Sequence, residues 1–227
     1  MKTALITGVN GQDGSYLAEF LLMKGYKVYG IVRRNSVVSS QPRRLEKFGV
    51  HPHCDLHLEY GDVTDFPSLV EIMKNSNPDE IYNLAAQSHV RISFDQVSYT
   101  TDVVGKGAFN VFEAARIICP HAKIYQVGSS EMFGNSVDPD GFQRESTKMV
   151  PANPYACAKL FAHNLAHTYR LAHDMFISNG ILFNHESPRR GENFVTNKIV
   201  NQAIDILEER RTKVVLGNLE AGRDWGH

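Results

Sequence analysis

A chain of 227 residues that is 42% apolar can build one large or two small domains around a sizeable core. Its 24 basic and 25 acidic side chains leave a net charge of −1, which gives no electrostatic reason to expect nucleic acid or an anionic membrane as partner. The apolar runs are strand-length rather than bilayer-length, and Cys54, Cys119 and Cys157 follow no pairing motif, so they read as reduced thiols in a cytoplasmic protein.

The first strand, around Ala4 to Ile6, begins almost at the amino terminus and leaves no room for a signal peptide. Glycines follow at 8, 11 and 14, ahead of an amphipathic stretch over residues 15–24. Strand, glycine turn and helix in this order make half of a dinucleotide-binding βαβ unit. Gly8 lets the chain turn, Gly11 lets backbone N–H groups approach a pyrophosphate, and Gly14 lets helix and strand pack closely; Asn10, Gln12 and Asp13 complete the cofactor turn. The spacing is GxxGxxG rather than GxGxxG, and directly after Ile-Thr it resembles the short-chain dehydrogenase/reductase superfamily, whose extended branch works on nucleotide sugars.

The second strand, Lys27–Val32, ends at Arg33 and Arg34, where an NAD-binding protein usually carries an acid for the ribose 2′-hydroxyl. Two guanidinium groups suit a 2′-phosphate, which favours NADP; the bland alternative is an exposed basic loop, and residues 36–44 are long enough to touch another subunit. Residues 55–60 form a third strand, after which Asp62 and Val63 are placed to read an adenine amino group. A helix over 66–75 precedes a fourth strand over 80–86, where Leu84, Ala85 and Ala86 leave space for a cofactor across the sheet top and Ser88 reaches cofactor or sugar. The longest helical stretch, 99–118, starts with a cofactor-contacting Tyr99, is interrupted at Gly105 and Gly107, and packs on the sheet or on a second copy.

The fifth strand, Lys123–Val127, leads into Gly128-Ser129-Ser130-Glu131, a polar strand tip with a carboxylate. Downstream, the segment from Pro151 opens a helix running through Arg170. Tyr155 and Lys159 are four apart on one helix face, so an ammonium stands beside a phenol and favours the phenolate. Lowering a tyrosine from about 10 to neutrality takes roughly 4 kcal/mol, within reach of one lysine and one bound nicotinamide cation. A strand over 176–183, a helix over 199–210 and a strand over 213–216 follow. The ten histidines lack metal-ligand spacing, and no metal is expected.

Ser129-x-Glu131 followed by Tyr155 and Lys159 looks like the catalytic set of the nucleotide-sugar 4,6-dehydratases. The segments at 11–20, at 180–195 (with Asn-His-Glu-Ser-Pro-Arg-Arg-Gly at its centre) and at 223–227 are similar to the GDP-mannose 4,6-dehydratases, from first residue to last. That resemblance implies an α/β fold, a doubly wound parallel sheet of Rossmann type, with an NADP-binding domain over 1–180 and a partial substrate region over 181–227. It implies conversion of GDP-mannose to its 4-keto-6-deoxy derivative: Tyr155 takes the 4-hydroxyl proton, Glu131 the C5 proton, and Ser129 orients the 4-hydroxyl. It assigns Asn184, Lys198 and Arg223 to the GDP moiety, His185 and Arg190 to the cofactor, and Ser88, Ser129 and Glu131 to the sugar. Members are homo-oligomers, dimers or tetramers, and continue beyond the Arg223 motif, so a truncated chain is expected.

Two departures stand out: the family usually has Ser-Thr where this chain has Gly128-Ser129, and the segment between Glu131 and Tyr155 is slightly longer than usual. Arg189, Arg190 and Glu192 would alternatively form a structural ion-pair network. Other readings are a dehydratase of a related GDP-sugar such as a manno-heptose, a nucleotide-sugar epimerase or reductase, and a non-catalytic NADP-binding protein. Glu131 argues against the epimerase, since C4 epimerisation needs no C5 base.

Overall fold

Short apolar strands alternating with amphipathic helices can bury both faces of a sheet only if every strand runs the same way and the helices cross over it. The computed structural model describes residues 1–33, 43–51, 53–220 and 222–227 and has this architecture. The strands β1 (Thr3–Thr7), β2 (Lys27–Val32), β3 (Leu56–Tyr60), β4 (Glu80–Asn83), β5 (Lys123–Val127) and β6 (Ile177–Gly180) form a parallel sheet in the order β3-β2-β1-β4-β5-β6. This is the doubly wound order, and its reversal between β1 and β4 opens a crevice at the strand ends.

Alternation along each strand feeds two cores. Ala4, Ile6, Val28 and Val32 face α1 (Gln12–Met23) and α2 (Arg43–Lys47), where Ala18, Leu21 and Leu45 are buried. Leu5, Tyr29, Ile31, Ile81 and Ile124 face the other side, against α3 (Phe66–Ser76), α6 (Gly107–Ile118) and α7 (Pro154–His173). Between β4 and α6 lie two short helices, α4 (Val90–Asp95) and α5 (Val97–Thr101), and a π-helical turn, Asp102–Lys106.

The expected helix over 99–118 is therefore one rod with a widened turn rather than a helix broken at its glycines. A Cβ on Gly107 would lie 2.8 Å from Val63 Cγ2, so this glycine serves close packing. Helix α4 was not foreseen; His89 starts it, accepting the Ile92 N–H on Nδ1 at 3.4 Å. The strand expected over 213–216 does not form. Instead the Val215 N–H donates to the side chain of Gln202 at 2.7 Å, so the segment is tied to a helix rather than to a strand partner.

The chain divides into two units, Met1–Leu182 and Phe183–His227. The second holds the two-residue strands β7 (Asn184–His185) and β8 (Trp225–Gly226), paired in parallel, and helix α8 (Val195–Leu207). Among the described residues no helix is long and apolar enough to cross a membrane.

Candidate functional site

The glycine turn sits at the β1–β4 crevice. Gly8 has φ +70°, and a Cβ there would lie 3.0 Å from the backbone of Ala85. A Cβ on Gly14 would lie 2.3 Å from the Gly8 carbonyl oxygen, so α1 starts tight against the turn, as the sequence implied. No side chain caps α1, which leaves the positive end of a twelve-residue helix facing the crevice. Asn10 Oδ1 is buried without a hydrogen-bond partner among the described residues. Arg44, which the sequence did not single out, donates from α2 to the Asn10 carbonyl.

At the far end of the crevice, Asp62 Oδ1 accepts from the Thr64 N–H (2.9 Å) and hydroxyl (2.8 Å), which fixes its carboxylate. Val63 is buried, and its carbonyl accepts from Asn110 Nδ2 at 2.8 Å. Arg33 is exposed at the end of β2 and its guanidinium donates to the Tyr99 hydroxyl, so two candidates distant in sequence meet. Arg34 and the loop after it lie outside the described residues. Leu84, Ala85 and Ala86 are half-buried just beyond β4, and Ser88 is exposed.

A buried polar chain runs beneath this crevice across three strand tips. Thr7 Oγ1 accepts from the N–H groups of Leu84 (3.1 Å) and Ala85 (3.0 Å) and donates to Asn83 Oδ1 (2.7 Å). Asn83 Nδ2 donates to Gln126 Oε1 (2.7 Å), and Gln126 Nε2 donates to the Val127 carbonyl (3.0 Å). Lys159 Nζ reaches the same carbonyl at 2.8 Å. Thr7, Asn83, Gln126 and Lys159 are all at most 3% exposed. Desolvation pushes the Lys159 ammonium down to about 8, against the attraction of Asp13. Its Nζ lies 5.7 Å from the centroid of the buried Tyr155 ring, one turn back on α7.

Beyond β5 the chain makes a 3₁₀ turn, Ser130–Phe133, capped by Ser129, whose Oγ accepts the Glu131 N–H at 3.2 Å. The Glu131 carboxylate accepts from Asn153 Nδ2 at 2.8 Å. Asn153 is the N-cap of α7, accepting the Ala156 N–H at 2.8 Å, with Pro154 at the first helical position. The helix thus begins at Pro154 rather than Pro151. Ser129, Glu131, Tyr155 and Lys159 are gathered by two elements, the β5 tip and the first turns of α7. Asn153 was missed as a site residue, although Asn-Pro at a helix start is a readable cap signal.

In the second unit, His185 Nδ1 donates to the Phe183 carbonyl at 2.8 Å, which fixes its tautomer in the neutral ring. Arg190 pairs with Glu186 at 3.1 Å and lies 3.6 Å from the Phe194 ring centroid. Asn184 is on β7, half-buried Lys198 is on α8, and Arg223 is exposed, donating to its neighbour Gly222. Among the described residues, His53, Cys54 and Asp55 bring ligand atoms within 4.8 Å of one another, but His53 Nδ1 already accepts the Asp55 N–H.

Comparison with solved structures finds this fold in enzymes of nucleotide-sugar chemistry. A dTDP-glucose 4,6-dehydratase from Bacillus anthracis in complex with NAD matches with a TM-score of 0.81 at 23% identity, covering 99% of this chain and 67% of that one. A UDP-glucuronic acid 4-epimerase from Bacillus cereus in complex with UDP-glucuronic acid and NAD matches at 0.78 and 21%, covering 89% and 63%. At the sequence level, GDP-mannose 4,6 dehydratase 2 of Arabidopsis thaliana is 50% identical over 99% of this chain and 61% of its own length. The human GDP-mannose 4,6 dehydratase is 48% identical over 100% and 61%. The chain thus spans about three-fifths of the length of these relatives. With the glycine turn, the Ser129–Glu131 tip and the Tyr155–Lys159 face in place, and with the family model for GDP-mannose 4,6 dehydratase matching residues 5–227, the chain belongs to the GDP-mannose 4,6-dehydratase family.

Proposed function

We propose that the protein carrying this chain dehydrates GDP-mannose to GDP-4-keto-6-deoxymannose with NADP as its cofactor. The observation that carries this reading is the carboxylate of Glu131, fastened to the start of the helix that bears Tyr155 and Lys159. A redox-only enzyme on this scaffold needs the tyrosine and lysine but has no work for a carboxylate at that tip.

The turn suits a dinucleotide. An uncapped helix end accepts a pyrophosphate, and the orphaned Asn10 Oδ1 needs a donor that a ribose hydroxyl supplies. Gly8, Asn10, Gly11, Gln12, Asp13 and Gly14 would line the pyrophosphate side, and Asp62 and Val63 the adenine. Arg33, with Arg34, would meet a 2′-phosphate, the feature that favours NADP over NAD. When bound, the nicotinamide supplies a hydride acceptor for C4 and later a hydride donor for C6, so no net oxidation results.

Tyr155, as its phenolate, takes the 4-hydroxyl proton as C4 becomes a carbonyl, and the nearby Lys159 ammonium favours that phenolate beforehand. The new carbonyl acidifies the C5 proton, which Glu131 removes and passes to the departing C6 hydroxyl, releasing water. Because that proton leaves in the water, C5 must take a different one at the end, so reaction in D₂O is expected to place deuterium at C5. Asn184, Lys198 and Arg223 would hold the GDP moiety, with cations suited to a diphosphate.

Incubation with NADP⁺ and a panel of GDP-hexoses is the direct test, with GDP-mannose expected to give the 4-keto-6-deoxy product without net NADPH. Glu131→Gln is expected to keep cofactor binding and C4 oxidation but to lose elimination by roughly 10²–10⁴-fold. Unchanged product in that variant would remove Glu131 from the chemistry, and no product from any GDP-hexose would end the reading.

A further inference from the structure

We infer that Asn153 is a positioning residue for the elimination step, one side chain that sets the Glu131 carboxylate relative to the Tyr155–Lys159 helix; this rests on the dehydratase reading above. Both ends of its amide are committed. Oδ1 accepts the Ala156 N–H at 2.8 Å and Nδ2 donates to Glu131 Oε2 at 2.8 Å. Turning the amide over would set N–H against N–H and oxygen against carboxylate, so the two bonds fix its orientation together. The residue is 9% exposed, and water competes little for either bond.

The backbone enforces this reach from both sides. Pro154 keeps Asn153 extended (φ −150°, ψ 160°), so the cap cannot slip into the helix. Gly134 closes the 3₁₀ turn with φ +58°, and a Cβ there would lie 2.1 Å from the Val150 carbonyl. That bare backbone lets the segment before Asn153 run against the turn that carries Glu131. A glutamate has three free torsions, and without the amide its carboxylate is left to the rotamers of a half-buried side chain. Lys159 and Tyr155 are held independently, by the Val127 carbonyl and by the α7 packing, so loss of Asn153 Nδ2 reaches one catalytic group and spares two.

The test separates the two ends of the amide. Asn153→Ser keeps a good N-cap but cannot reach Glu131, whereas Asn153→Ala loses both bonds. The Ser variant is expected to melt close to the parent protein. It should pass C4 oxidation with little loss, accumulate reduced nicotinamide at 340 nm, and slow both water loss and C5 deuterium uptake roughly 100-fold. A merely structural residue would lower every step in proportion to the melting temperature, and that result, or full-rate elimination in the Ser variant, would overturn the inference. A second readout needs no turnover: Glu131→Gln should move the Asn153 side-chain amide resonances in a ¹⁵N spectrum and leave the Ala156 N–H in place. Unmoved resonances would also overturn it. A parent protein without product would count against the dehydratase reading alone, with the spectrum still deciding on Asn153.

Discussion

Lys159 shows what burying a charge costs at a single residue. Its ammonium is fully buried and held at about 8 rather than 10.5, so the folded chain gives up its proton earlier than the unfolded one. Below pH 8 both states are charged and the desolvation penalty is present in full. Between about 8 and 10.5 the unfolded chain holds the extra proton, so stability rises with pH through that window. The shift corresponds to a penalty on the order of 3 kcal/mol. Lys159→Met is therefore expected to stabilise the protein by about 1–3 kcal/mol at pH 7, since Gln126 still serves the Val127 carbonyl, while abolishing turnover. Thermal melts at pH 7 and pH 10 check this: the gain should shrink at the higher pH, and a destabilised variant at pH 7 would refute it. The spacing of Tyr155 and Lys159 was legible because a helix repeats every 3.6 residues. That the ammonium is anchored on the β5 tip was not, because the anchor is a backbone carbonyl 32 residues away, which no side-chain pattern announces.

At the scale of elements, strands and glycine turn were readable because apolar runs and glycine spacing are local signals. The polar chain through Thr7, Asn83 and Gln126 was not, since each residue alone is an ordinary strand-end polar group and only the β1-β4-β5 order lines them up. The widened turn at Asp102–Lys106 was not readable either, since the stretches on both sides of it continue as helix and it has no sequence signal of its own. If the chain acts as one unit, Thr7→Val strips the acceptor from two amides and costs about 2–4 kcal/mol, and Gln126→Leu, which orphans Asn83 Nδ2, costs about 1–3 kcal/mol. The double variant should fall short of the sum by about 1 kcal/mol, because a chain broken at one end has less to lose at the other. Denaturant unfolding of the three variants measures this, and strict additivity would mean that the bonds act separately.

For the whole molecule, the buried apolar clusters among the described residues lie within Met1–Leu182, which also carries the six-stranded sheet, the glycine turn and all four proposed catalytic residues. The residues assigned to the GDP moiety, Asn184, Lys198 and Arg223, fall in Phe183–His227 instead. In that second unit the helix was legible from its amphipathic pattern, but the strand pairing was not, since the strands are two residues long and the middle segment is tied by Gln202 rather than by a ladder. A unit with its own two-sided core should fold alone. A fragment ending at Leu182 is accordingly expected to melt cooperatively and to bind NADP within about tenfold of the whole chain, a loss of at most about 1.4 kcal/mol for the contacts proposed at His185 and Arg190. It should show no measurable affinity for GDP-mannose. Titrating fragment and whole chain with each ligand decides the matter: an unfolded fragment would place essential core contacts beyond Leu182, and a fragment that binds the GDP-sugar fully would move nucleotide recognition into the sheet-bearing unit.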